Sequence, residues 1–199
     1  MFRLICLLVG YVCGNVLFAE VVARVVAHRS VFDLGNGNPG MANTARSLGP
    51  AAAVACLVGD LGKVVLAVLV CSALLPGVDG AVVAGWAGIG ATLGHDYPLW
   101  RGFRGGKGVA TLSATIFLVS WRYGIVAAAV AAATLLLSGY LSIAAVVAAA
   151  AFALLLLLRA NIELALVGCA VFALALCGQW TNLWGIRDGT ATRDLSSRR

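Results

Sequence analysis

Long apolar runs separated by short polar segments are the dominant pattern of this chain. A transmembrane helix needs about 20 apolar residues, and somewhat fewer suffice where the bilayer is locally thinned. Seven runs qualify as spanning helices, at residues 4–26, 51–75, 80–94, 108–121, 124–138, 141–158 and 160–178. The pattern therefore predicts an all-α, polytopic helical bundle. The alternative is five spanning helices with re-entrant segments, because the fourth and fifth runs are short.

Composition also favours a membrane protein. Of the 199 residues, 62% are hydrophobic and 11% are charged, whereas soluble domains are about half apolar and about a quarter charged. The first run is not followed by a small-x-small cleavage site, so we expect a transmembrane helix there and not a cleaved signal peptide. We expect a single membrane-embedded domain over residues 1–199.

The distribution of basic residues predicts the orientation. With seven helices and an external N-terminus, ten of the fourteen Lys and Arg residues fall in cytoplasmic segments. Three fall outside, namely Arg3, Arg122 and Arg159. The positive-inside rule thus favours an external N-terminus and a cytoplasmic C-terminus. This topology and contact with anionic lipids account for the net charge of +6, so no nucleic-acid partner is indicated.

The apolar runs also contain cysteines and a pair of ionisable residues. The six cysteines lie in apolar stretches without a CxxC pair, which predicts small buried hydrophobes and neither disulfides nor a metal site. Asp60 and Lys63 stand at i and i+3 on one face of the second helix. Because intramembrane charges usually face a protein interior or a cavity, a structural ion pair and a role beside a functional site both stay open.

The first polar connection, residues 33–49, has the composition of an anion-binding loop. Three glycines and a proline within positions 35–40 require a tight, irregular backbone. Such a backbone can direct several N–H groups at one anion, and Arg46 can add a charge-assisted contact. A plain turn between helices would need only one glycine or proline.

The second polar connection, residues 94–111, is glycine-rich and basic where the next helix begins. Lys107, its neighbouring glycines and a helix N-terminus together favour phosphate binding. The nucleotide-hydrolase pattern G-x-x-x-x-G-K-[ST] is not met, because Arg101 stands at its first glycine and Gly108 at its hydroxyl position. His95 beside this loop is either a structural hydrogen-bonding residue or a direct participant.

Both loops resemble motifs of the bacterial acyl-phosphate:glycerol-3-phosphate acyltransferase family, whose patterns run approximately GSGNPGATNxxRxxG and GHxxPxxxxFKGGKGVAT. This chain has GNGNPGMANTARSLG from position 35 and GHDYPLWRGFRGGKGVAT from position 94. Asn36 replaces a serine, Ala42 a threonine and Arg104 a lysine of those patterns. The resemblance extends over the whole chain, since the family has seven helices with its motifs on the cytoplasmic side.

A third family motif, approximately HRENIxRLxxGTE, has its counterpart at residues 179–191. Asn182, Gly189 and Thr190 are kept there. The departures from the motif are Gln179 for the histidine, Trp180 and Gly185 for the two arginines, and Ala191 for the final glutamate. The segment 138–143, which includes Ser142, is similar to a serine-containing internal turn of the family.

The resemblance implies transfer of a fatty acyl group from acyl phosphate to glycerol 3-phosphate at the bacterial cytoplasmic (inner) membrane, giving lysophosphatidic acid and phosphate. The catalytic residues it suggests are Lys107, His95 and Arg46. The substrate-binding residues it suggests are Asn36, Gly37, Asn38, Gly40, Asn43, Arg104, Gly105, Gly106, Gly108, Thr111, Ser142 and Asn182. No cofactor is expected. The partners it implies are the two substrates, membrane lipids and a phosphate-acyltransferase that supplies acyl phosphate.

Two other functions stay open at this level. Loops that bind anions could gate a small phosphorylated solute in a transporter, although the runs show no internal duplication. The departures in the third motif suggest a catalytically weakened homologue that regulates or scaffolds lipid synthesis.

The predicted orientation can be tested by cysteine accessibility in a cysteine-free background. We expect Asn36→Cys and Arg104→Cys to react only from the cytoplasmic side and Arg122→Cys only from outside, because the basic loops stay on the cytoplasmic face. Labelling of Arg104→Cys by an impermeant reagent in intact cells would contradict the orientation.

Overall fold

A computed structural model describes residues 1–191, and helices dominate this part of the chain. In chain order the helices are α1 Phe2–Gly14, α2 Phe18–Ala27, α3 Met41–Leu48, α4 Pro50–Leu74, α5 Gly80–Asp96, α6 Val109–Val119, α7 Trp121–Ser138, α8 Leu141–Leu157 and α9 Ile162–Arg187. Single 3₁₀ turns at Val31–Asp33 and Leu99–Arg101 lie within two of the connections. The predicted all-α fold class is confirmed.

Several of these helices have the length and apolar character of membrane spans. By length and composition, four segments of the described chain qualify: Phe2–Ala27, Pro50–Leu74, Trp121–Ser138 and Ile162–Arg187. The helices Val109–Val119 and Leu141–Leu157 are apolar but shorter. Lipid removes the need to bury apolar side chains, and many large ones are accordingly exposed along these segments. Seven spans and an external N-terminus stay predictions.

Several helix boundaries differ from those expected from hydropathy. The predicted helix 4–26 is divided into α1 and α2. Helix α5 continues past residue 94, so His95 lies in its last turn and not in the following loop. Helix α9 continues to Arg187, so most of the expected loop 179–191 is helical. Hydropathy locates the end of an apolar run, whereas a helix continues as long as its backbone hydrogen bonds are satisfied.

The break between α1 and α2 is stabilised by side chains that are distant in sequence. Leu17 is extended there, with φ −91° and ψ 98°. The Val16 carbonyl accepts a hydrogen bond from Lys63 Nζ at 2.9 Å, and the Asn15 carbonyl accepts one from Trp100 Nε1 at 2.8 Å. A helix can break inside an apolar run only where the freed carbonyls find such donors.

The chain divides into two compact units, Met1–Thr115 and a second unit that begins at Ile116. In the first unit α1 packs mainly on α5, and α4 packs on α1, α3 and α5. In the second unit α8 packs between α7 and α9. Both polar connections with the first two motifs belong to the first unit, whereas Ser142 and the third motif belong to the second.

The contact between α1 and α5 is close because glycines face backbone on both sides. A Cβ added at Gly10 would overlap the carbonyl oxygen of Ala87, and one added at Gly90 would overlap the carbonyl oxygen of Leu7. Small residues at such positions let the two backbones approach, which is the usual basis of helix association in membranes. This contact places the C-terminal end of α5 beside the break after α1.

The cysteines are only partly the buried hydrophobes that were expected. Cys6, Cys56 and Cys71 are fully buried, and Cys6 and Cys71 pack in one core cluster with Ala67, Val83 and Ala87. Cys169 and Cys177 are exposed on α9, which contradicts the prediction for these two. All six are free thiols.

The glycine contact predicts a large difference between two glycine substitutions. Gly10→Ala should lower the free energy of unfolding by about 1–3 kcal/mol, because the added methyl group meets rigid backbone. Gly62→Ala in α4 is the matched control, since its Cβ would have nothing within 4 Å. Thermal unfolding of the purified protein in lipid or detergent measures both. Equal stability of the two variants would contradict the close contact.

Candidate active site

The first-motif loop is organised by Asn43, which lies on α3 and is 1% exposed. Its Nδ2 donates to the Leu34 carbonyl at 2.9 Å, and its Oδ1 accepts from the Asn36 backbone N–H at 3.1 Å. A Cβ at Gly35, where φ is +54°, would overlap Asn43 Oδ1. The structure therefore gives Asn43 a role in shaping the loop. Its expected contact with substrate stays a prediction.

The other polar groups of this loop lie nearer to solvent. Asn36 Oδ1 accepts from the Asn38 backbone N–H at 3.1 Å, and Asn36 is exposed while Asn38 is half-buried. Arg46 is exposed in the last turn of α3. Gly40 supplies the backbone carbonyl that accepts from Thr44 Oγ1 at 3.0 Å. The loop thus presents an accessible amide side chain and a guanidinium on a rigid frame.

The second-motif loop folds back onto the end of α5. The Gly105 N–H donates to the Asp96 carbonyl and the Gly106 N–H to the His95 carbonyl, each at 2.9 Å. These two amides therefore satisfy the last carbonyls of α5. Substrate binding by Gly105 and Gly106 stays a prediction. The N–H groups of the first turn of α6 have no partner within that helix and remain for such a role.

Gly106 and Gly108 allow this loop to lie directly against α5. A Cβ at Gly106 would overlap Nε2 of His95. Gly108 has φ +66°, and a Cβ there would lie 2.8 Å from Thr92 Cγ2 and 3.0 Å from Asp96 Oδ2. Any larger residue would push the loop and Lys107 away from the helix.

The start of α6 is held by a pair of buried threonines. Thr92 Oγ1 donates to Thr111 Oγ1 at 3.0 Å, and Thr111 Oγ1 donates to the Gly108 carbonyl at 3.0 Å. Both threonines are 0% exposed. The contacts of Thr111 fix the direction in which α6 leaves the loop, and its expected role in substrate binding stays a prediction.

The two motif loops touch each other in the first unit. The guanidinium of Arg101 lies over the Phe32 ring, 4.1 Å from its centroid. The turn Leu99–Arg101 is also tied to Asn15, whose Oδ1 accepts from the Leu99 N–H at 2.8 Å. Arg104 is exposed and Lys107 is half-buried in the same loop. The cations of both motifs therefore belong to adjoining loops at one end of this unit.

A buried charged cluster lies behind the second loop. Lys63 Nζ is 2.8 Å from Asp60 Oδ1 and 2.8 Å from His95 Nδ1, and the three side chains are 2–4% exposed. Asp96 is also buried, and within residues 1–191 no hydrogen-bond donor reaches its Oδ1. The sequence signal for the cluster was the i, i+3 charge pair inside an apolar helix, but its contact with His95 could not be predicted.

In the second unit, the third motif forms the last turns of α9. Asn182 Nδ2 donates to Gln179 Oε1 at 2.9 Å, and Gln179 is 3% exposed. Thr190 and Ala191 N–H groups both donate to the Gly185 carbonyl and close the end of the helix. Ser142 is buried in the first turn of α8. Gln179 stands where the family motif has histidine, and it accepts the hydrogen bond that holds the Asn182 side chain.

Residues 1–191 contain no group of three His, Cys, Asp or Glu side chains placed to hold a metal ion. His95 and the carboxylate of Asp96 lie against the second loop, and Lys107 belongs to the loop itself. The lysine and the histidine can bind anions or donate hydrogen bonds.

Comparison with known proteins identifies the family. The sequence model described as "Glycerol-3-phosphate acyltransferase" matches residues 4–189. The glycerol-3-phosphate acyltransferase of Rhodospirillum rubrum is 40% identical over 180 residues, covering 88% of this chain and 82% of that protein. That of Cereibacter sphaeroides is 34% identical over 184 residues, covering 92% and 86%. Glycerol-3-phosphate acyltransferase 1 of Lactobacillus johnsonii is 37% identical over 121 residues, covering 61% and 58%.

Solved structures agree with the sequence comparison. The crystal structure of PlsY (YgiH), an integral membrane glycerol 3-phosphate acyltransferase, in its glycerol 3-phosphate form superposes with a TM-score of 0.83 at 27% identity. The match covers 96% of this chain and 94% of that one. The lysophosphatidic acid form of PlsY gives a TM-score of 0.82. With its two motif loops adjoining in one helical unit, this chain belongs to the glycerol-3-phosphate acyltransferase family of integral membrane proteins.

Proposed function

We propose that this protein transfers a fatty acyl group from acyl phosphate to glycerol 3-phosphate, releasing lysophosphatidic acid and phosphate. The observation that carries the proposal is the placement of Lys107 between a loop packed on α5 and the first turn of α6. Both proposed substrates carry a phosphate, and a cation beside free helical N–H groups is suited to bind one. Family membership supports the acyl-transfer chemistry.

In the proposed reaction, the hydroxyl oxygen of glycerol 3-phosphate attacks the carbonyl carbon of acyl phosphate. The new C–O bond forms the ester while the bond between the carbonyl carbon and the phosphate oxygen breaks. The proton of the hydroxyl leaves with the phosphate, so atoms and charge balance without a covalent enzyme intermediate. An acyl phosphate is already an activated anhydride, so the protein must align the two substrates and stabilise the developing charge.

We assign the acyl-phosphate phosphate to Lys107 and the α6 N-terminus, with Gly105 and Gly106 allowing the close approach of the loop. Arg46 and Asn38 would hold glycerol 3-phosphate on the adjoining loop, where the guanidinium is exposed. Ser142 and Asn182, which lie in the second unit, stay proposals as substrate-binding residues. The apolar exterior of the helices supports a donor whose acyl chain enters from lipid.

The site of action that we propose is the bacterial inner membrane, with the motif loops facing the cytoplasm. Glycerol 3-phosphate is a soluble, charged substrate and would reach the loops from that side. Acyl phosphate would come from a phosphate-acyltransferase, which is the partner that this donor requires. Rescue of a strain lacking its own acyltransferase would support catalysis, since a transporter or a scaffold would not restore the product.

The donor can be tested with purified protein. Product should form from acyl phosphate and glycerol 3-phosphate without ATP, metal ion or a CoA thioester, because the phosphate loop lacks the nucleotide-hydrolase pattern. Parallel reactions with acyl-CoA and with acyl carrier protein thioester are the controls. Activity that appears only with acyl-CoA would refute acyl phosphate as the donor.

Lys107 offers the sharpest test of the phosphate site. Charge-assisted contacts are worth about 1.5–3 kcal/mol, so Lys107→Ala should lower kcat/KM on the order of tenfold to a hundredfold. Lys107→Arg keeps the charge but replaces a compact ammonium with a planar group, and should recover only part of the loss. Arg122→Ala, at an exposed cation in the second unit, is the control and should keep full activity. Normal turnover by Lys107→Ala after normal insertion would show that the assignment is wrong.

A further inference from the structure

Lys63 lies at the centre of a buried network that reaches the second-motif loop through His95. Its Nζ contacts Asp60 Oδ1 at 2.8 Å, His95 Nδ1 at 2.8 Å and the Val16 carbonyl at 2.9 Å. The ammonium group thus lies within hydrogen-bond distance of a ring nitrogen and a backbone carbonyl, and it forms an ion pair with a carboxylate. These three contacts hold the lysine in place.

The same contacts decide which nitrogen of His95 carries hydrogen. An ammonium group has no lone pair, so Nδ1 must be the acceptor in its contact with Lys63. Asp60 Oδ1, 2.8 Å from Nζ, supplies the counter-ion for an ammonium group in this buried position. A second N–H at Nδ1 would point at the ammonium and repel it. The neutral imidazole must therefore carry its hydrogen on Nε2.

Nε2 is the atom of His95 that faces the glycine-rich loop. A Cβ at Gly106 would overlap this nitrogen, which places it directly against the residue before Lys107. The Gly106 N–H is already engaged by the His95 carbonyl. What His95 presents towards the loop is thus an N–H donor.

We propose that Lys63, held by Asp60, is a positioning residue that fixes His95 as an Nε2–H hydrogen-bond donor to a bound phosphate or acyl oxygen. In this arrangement His95 does not remove the proton of the attacking hydroxyl, since Nε2 has no free lone pair. This inference rests on the proposed acyl transfer for the identity of the ligand, but the state of His95 is a property of the protein alone.

The simpler interpretation is an ion pair that only joins helices, because Lys63 also holds the carbonyl at the break after α1. Both interpretations predict that loss of Lys63 affects folding. They differ in the tautomer of His95 and in which kinetic parameter changes. The test therefore needs a spectroscopic measurement and a separation of kcat from KM.

The chain has two histidines, so His28→Gln leaves His95 as the single histidine signal in the ¹⁵N NMR spectrum of the full-length protein in lipid nanodiscs. We expect an unprotonated Nδ1 and a protonated Nε2 at neutral pH. In Lys63→Met this preference should be lost, whereas Leu66→Met, at an exposed site on the same helix, should leave it unchanged. An Nδ1–H tautomer or an imidazolium in the His28→Gln protein would overturn the proposal.

Steady-state kinetics with acyl phosphate and glycerol 3-phosphate are the second test of the positioning role. Lys63→Met should lower kcat on the order of tenfold to a hundredfold while KM changes less than about threefold. Because a lone Asp60 would be buried without its partner, Asp60→Asn/Lys63→Met provides a neutral pair if the single variant does not fold. A folded double variant with full kcat would overturn the positioning role. An inactive wild-type protein with the expected tautomer would refute the acyl transfer and leave the fixed tautomer standing.

Discussion

The close contact between α1 and α5 is the constraint on which the first unit depends. Glycines on both helices meet backbone carbonyls of the other, so the helix axes approach nearer than any side chain at these positions would allow. The last turn of α5 consequently lies beside the break that follows α1. Asn15 at this break binds the turn Leu99–Arg101, and Val16 binds Lys63. Backbone packing thus brings the break after α1 next to the start of the second-motif loop.

Glycine has a second use in the motif loops, and it is different from the one that the sequence suggests. A run of glycines before a helix is usually explained by amides that bind an anion. Here the Gly105 and Gly106 amides end helix α5, and the lack of a Cβ at Gly106 lets the loop rest on His95. In the proposed site, the anion would then meet Lys107 and the start of α6. Composition suggests an anion-binding loop, but which of its amides are engaged elsewhere depends on the fold.

Sequence periodicity was sufficient for features that depend on local residues. It located most helices within a few residues, and the family motifs identified both loops. It missed the division of the first helix, because the donors that satisfy the freed carbonyls are Lys63 and Trp100, each many positions away. Substrate contact by Asn43 and Thr111, which the family resemblance suggests, stays a prediction. That their buried side chains also hold backbone could be seen only from tertiary contacts.

Charge balance explains how His95, Asp60 and Lys63 can be buried so close to the proposed phosphate site. Asp60 and Lys63 neutralise each other, and His95, as a neutral donor, adds no charge to the pair. The positive potential at the loops then comes from the more accessible cations, Arg46, Arg104 and Lys107. A doubly negative phosphate would meet cations that water can still reach before binding. The buried pair would fix geometry, while the outer cations would supply attraction.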